Sequence, residues 1–60
     1  MSEKFIKVTQ DKDGEVVESF IRKSLVESVS EEKGITYLAF NGSCFIVRES
    51  VRNIINILEE

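Results

Sequence analysis

The chain contains no proline, no histidine and no tryptophan, and Cys44 is its single cysteine. One cysteine cannot close a disulfide within the chain. One cysteine without histidine also leaves too few nitrogen and sulfur ligands for a structural zinc site. The missing histidine removes the side chain that most often acts as a general base near neutral pH. Gly14, Gly34 and Gly42 stand far apart, so they cannot assemble a phosphate-cradling loop. No apolar run approaches the roughly 20 residues that span a bilayer. The opening Met1-Ser2-Glu3-Lys4-Phe5 has no apolar segment of signal-peptide length. No membrane insertion is expected, and a lone cysteine in an apolar context fits a reducing cytoplasm.

What remains is a single domain, residues 1–60, with 42% apolar and 32% charged residues, a globular composition. Seven Val, seven Ile and two Thr lean it toward strand. A domain this short buries only about 60% of the surface that its unfolded chain exposes. Small domains add disulfides, metal or oligomerisation. With the first two excluded, self-association is expected. The formal charge of −3 opposes loose binding to nucleic acid or anionic membrane.

The alternation predicts a first strand over Lys4 to Gln10, with Ile6 and Val8 on one face. Asp11-Lys12-Asp13-Gly14 reads as a turn suited to a bulged hairpin. A second strand follows from Glu15 to about Ile21, with Val17 and Ile21 on one face and Val16 and Phe20 on the other. Arg22-Lys23-Ser24 is a soft break. Leu25 to Glu31 reads as a third strand, with Leu25 and Val29 in phase and Val26 out of phase. A helix over Glu18 to Glu31 competes with these two strands. Val16, Val17, Val26 and Val29, and the lack of a good N-cap, favour strand.

Glu32-Lys33-Gly34 is the next turn, and Ile35 to Phe40 the fourth strand. Asn41-Gly42 favours a two-residue type I′ turn and so sets register. Phe40 then faces Ser43, Leu38 faces Phe45, and Thr36 faces Val47. The fifth strand runs from Ser43 to Val47 or Arg48. Ser50 caps a terminal helix, whose Val51, Ile54, Ile55 and Leu58 form one apolar stripe. The predicted class is α+β: a small antiparallel β-meander of about five strands, open or barrel-like, with one C-terminal helix.

The last hairpin is apolar on both faces. Leu38, Phe40, Phe45 and Val47 lie on one; Tyr37, Ala39, Cys44 and Ile46 lie on the other. One short helix covers one face only. The second face requires barrel closure, a second subunit or a protein partner.

Candidate chemistry is sparse. Cys44 sits mid-strand, away from any helix N-terminus that would lower its pKa, and reads as a small apolar core residue. Asp11-Lys12-Asp13-Gly14 has half the outline of a calcium loop, but lacks the downstream ligands and bidentate Glu. The carboxylates are dispersed or lie in turns. No catalytic, cofactor or metal residue is assigned. Arg22, Lys23, Arg48 and Arg52 could form a local positive patch for an acidic partner or a nucleic-acid backbone, with ordinary solvated charge as the simpler alternative.

Asn41-Gly42, then Phe45-Ile46-Val47-Arg48-Glu49-Ser50-Val51, then Ile54-Ile55 resembles the ending of the small flagellar-operon proteins of the FlbD/SwrD type. Phe5-Ile6-Lys7-Val8-Thr9 and Asp13-Gly14 look like that family's opening strand and turn. Leu25-Val26-Glu27-Ser28-Val29 sits where the family has a further strand. The resemblance implies the same strand-and-helix outline and a motility role. The outline is also similar to a truncated LytTR DNA-binding domain.

The functional expectation is a non-enzymatic interaction or regulatory module that binds protein partners, works as a homo-oligomer and uses Phe5, Tyr37, Phe40 and Phe45 as anchors. The alternative is a nucleic-acid-binding module that uses the four cations.

Overall fold

A computed structural model of the chain describes residues 4–60. Five strands, β1 (Phe5–Lys12), β2 (Glu15–Arg22), β3 (Val26–Glu32), β4 (Ile35–Phe40) and β5 (Ser43–Val47), form one antiparallel sheet in the order β2-β1-β5-β4-β3. A helix, α1 (Val51–Leu58), follows. The β-meander with one C-terminal helix is therefore the fold. The sequence 18–31 is strand, broken by a single 3₁₀ turn over Lys23–Leu25.

Each hairpin turns on two residues: Asp13-Gly14, Lys33-Gly34 and Asn41-Gly42. Both central residues of each turn have positive φ, for example 49° at Asn41 and 84° at Gly42. Positive φ at both positions marks the type I′ turn, whose twist matches that of the flanking strands. The β4–β5 register follows the Asn-Gly expectation pair by pair, from Phe40–Ser43 to Thr36–Val47.

The first hairpin is tighter than its sequence suggests. Lys12 and Glu15 still pair, so the turn is Asp13-Gly14 alone, without a bulge. Asp11 Oδ1 accepts from Gly14 N at 3.0 Å, which holds the turn and lets β1 run two residues past Gln10. The bulge lies instead in β3. There the register shifts between Val26 and Ser28. The extra residue, Glu27, returns Val26 to the side that Val29 occupies, and both pack against the core. Alternation alone sets Val26 out of phase. Leu25 lies in the 3₁₀ turn rather than in β3, where its carbonyl accepts from Asn41 N at 3.2 Å.

The sheet does not close into a barrel, contrary to one expectation. β1 meets β5, as closure would need, but β2 and β3 remain as the two edges. The helix completes the core in place of a closing strand pair. It packs against β3 and brings Ile54, Ile57 and Leu58 onto the inner face of the sheet. Ile6, Val8, Ile21, Leu38, Val47 and Ile54 are buried there, Leu38 and Ile54 completely. Complete burial of one such side chain stabilises the fold by about 1.5–3 kcal/mol.

The expected helix stripe needs one correction. Ile57 packs on the core, whereas Ile55 is 41% exposed. At 100° per residue, Ile54 and Leu58 can be flanked by either position. The side on which the sheet lies decides for Ile57. Ser50 does cap the helix, its Oγ accepting from Asn53 N at 3.1 Å.

Candidate interaction surface

Side chains alternate between two faces, and one face of the sheet is taken by the helix. Among the described residues, no element covers the outer face. By register, Phe5, Lys7, Thr9 and Asp11 of β1 share that face with Arg22, Phe20, Glu18 and Val16 of β2. Tyr37 and Ala39 of β4 face Ile46 and Cys44 of β5 there. Phe20 is 64% exposed and Phe5 55%, and they are diagonal neighbours across β1 and β2. Val16, Ile35 and Ile46 are exposed on the same face. The Lys7–Glu18 ion pair (3.0 Å) adjoins Phe20.

The four expected anchors are thus divided. Phe5 is exposed and Tyr37 half-buried on the outer face. Phe40 and Phe45 lie on the inner face, both half-buried, with ring centroids 6.1 Å apart and planes tilted by 47°. They wall a cleft of about 210 Å³, floored by Val8, Ile21, Leu38 and Val47. Gln10 and Ser19 line the same cleft and share a long hydrogen bond of 3.4 Å. This cleft is the part of the inner face that the eight-residue helix leaves open.

The four cations do not converge. Arg22 pairs with Phe5 at one end of β1, whereas Arg48 N donates to Thr9 O (2.8 Å) farther along the same strand. That separation of four residues is about 13 Å along the strand. Arg48 Nε is also bound to Asp11 Oδ2 at 3.2 Å. Lys23 is half-buried in the 3₁₀ turn, and its amide donates to Lys4 O at 2.9 Å. Arg52 lies on the helix beside Glu31. Among the described residues, no cluster of three or more Asp, Glu, Cys or His is placed to hold a metal ion. Cys44 is exposed on the outer face, not a core residue: the helix packs on the opposite side of β5.

Alternation along β2 sets Phe20 beside Val16, as the structure does, but does not say which face is covered; Phe20 proves the most exposed aromatic side chain. One residue, Glu49, escaped the sequence reading. Its Oε1 and Oε2 accept from Thr9 N at 2.8 and 3.0 Å, joining the strand-to-helix junction to β1. The contact spans 40 residues, so no local pattern announces it.

No protein-family model, curated protein or solved structure matches this chain. Among the described residues, no helix is long and apolar enough to cross a membrane. Function is therefore read from the surface itself.

Proposed function

We propose that the chain is a non-enzymatic protein-interaction module that works as a homo-oligomer, through the outer face at the β1–β2 end of its sheet. One observation carries this reading. Among the described residues, six large apolar side chains are at least 40% exposed, as many as the six hydrophobic residues that are buried. Five of those six, Phe5, Val16, Phe20, Ile35 and Ile46, belong to one sheet face. Scattered exposed apolar residues are ordinary, but concentration on one uncovered face marks an interaction surface. Phe5 and Phe20 are its anchors. A short chain with so small a core gains most from burying such a face against another subunit.

A cytoplasmic setting goes with this reading. Cys44 is an exposed lone thiol, which a reducing compartment keeps from forming disulfides between molecules.

The test is a pair of substitutions, Phe5→Ser and Phe20→Ser, with assembly followed by light scattering and folding by far-UV circular dichroism. Both side chains are more than half exposed, so the fold should persist while the assembled fraction falls. Fold-intact variants that assemble as the parent does would contradict the proposal.

A further inference from the structure

The two sheet edges are treated differently. β3 carries the devices that protect an edge: a bulge between Val26 and Ser28, the acidic residues Glu27, Glu31 and Glu32, and a helix packed against it. Bulges, charges and covering helices all discourage strand addition. β2 is charged too, at Glu15, Glu18 and Arg22, but it carries neither a bulge nor a packed helix. Its eight residues pair with β1 in unbroken register, without bulge, proline or lysine, and among the described residues no strand lies on its other side. An edge strand of this length leaves a row of backbone N–H and C=O groups without strand partners. Val16 and Phe20 stand exposed along the same edge.

The charges along β2 select the strand that can add to it. Glu15 and Glu18 lie in its first half and Arg22 at its end. An antiparallel second copy of β2 lays the acidic half against the basic end, twice, about a two-fold axis. Addition of β3 from another molecule would instead set its glutamates near Glu15 and Glu18, and like charges on facing strands repel. With the axis at Ser19, Val17 faces Ile21 of the second copy on the inner side. On the outer side Phe20 lies over Glu18, and Glu18 is diagonal both to Arg22 and to Glu18 of the second copy; the two Glu18–Arg22 approaches across the axis outweigh the one Glu18–Glu18 approach. The contact uses the same patch on both molecules, as a closed two-fold dimer requires.

We infer that the chain dimerises edge to edge, by antiparallel pairing of β2 with β2 of a second copy, which joins two five-stranded sheets into one. This inference rests on the homo-oligomer reading and adds a second contact to it, at the β2 rim of the outer face where Phe20 lies.

Charge exchange tests it. Glu18→Arg makes the edge basic at both positions, and Arg22→Glu makes it acidic at both. Each substitution acts twice across the axis, so either alone should raise the dimer dissociation constant about tenfold or more. An equimolar mixture of the two variants should form a heterodimer, resolved by native mass spectrometry, because the basic edge of one complements the acidic edge of the other. Both sites are exposed, and unchanged circular dichroism checks the fold. As a second probe, Val17→Lys places an inward-pointing charge on the edge and should also block pairing. Charge variants that dimerise like the parent, or a mixture without a heterodimer, overturn the edge contact. If Phe20→Ser still dissociates the assembly in that case, the homo-oligomer reading stands and only the edge contact falls. A parent chain that is monomeric overturns both.

Discussion

Glu49 offers the sharpest test of how the sheet is held together. β1 and β5 share one ladder pair, Gln10–Val47, so their junction depends on the residues just beyond it. Arg48 N donates to Thr9 O, and Thr9 N donates back to both carboxylate oxygens of Glu49 at 2.8 and 3.0 Å. A side chain thus supplies the acceptor that a longer β5 would have offered. The bond is part-buried and its acceptor is charged. Hydrogen bonds to charged groups contribute about 1.5–3 kcal/mol, and loss of the acceptor also leaves the Thr9 amide without its partner. Glu49→Ala should therefore lower the unfolding free energy by about 1.5–3 kcal/mol. Glu49→Gln keeps an oxygen acceptor and should lose only about half of that, since neutral bonds are roughly half as strong. Arg48→Gln is the control. It removes the exposed Arg48–Asp11 ion pair and leaves the backbone bond, so its cost should stay below about 1 kcal/mol. Urea unfolding followed by circular dichroism, all variants at one chain concentration, reads these differences. A Glu49→Ala cost no greater than that of Arg48→Gln would refute the clamp.

Three further outcomes are expected. Leu38→Ala, at a fully buried position, should cost about 2–5 kcal/mol in the same assay, far more than any outer-face substitution. Gly42→Ala should cost about 1–2 kcal/mol although no atom of the described residues lies within 4 Å of the added methyl, because the φ of 84° disfavours a side chain; chemical denaturation again measures it. Ser50→Ala should remove the cap on Asn53 N and cost about 1 kcal/mol, with early loss of amide-exchange protection in the first helical turn.

The local chemistry of the chain is readable before its architecture. Asn41-Gly42 sets the last hairpin, and Ser50 the start of the helix, because each feature lies within a few residues. The residues that carry the likeness to flagellar-operon proteins include these same turn and cap residues, whose work here is structural. Strand order is not readable. It depends on β1 meeting β5, a contact made by Gln10, Val47 and the Thr9–Glu49 clamp, far apart in sequence. The bulge at β3 is hidden for a related reason. Glu27 Oε1 accepts from Gly42 N at 3.2 Å, so the β4–β5 turn, not the β3 sequence alone, finds a use for the extra residue.

The candidate site divides along the same line. Two apolar faces on one hairpin can be read from Tyr37 to Val47. Which face the helix takes cannot. The structure leaves Phe40 and Phe45 at an inner cleft and exposes Phe5 on the outer face, so aromatic residues grouped by sequence serve different surfaces. Phe20 stands out only once its face of β2 is known to be the exposed one.

The most direct measurement is the mass of the parent chain in solution, by size-exclusion chromatography with light scattering over a dilution series. Self-association through the outer face and the β2 edge gives a species of at least twice the 6.9 kDa chain mass at high concentration, dissociating on dilution. A mass of 6.9 kDa at every concentration would contradict it.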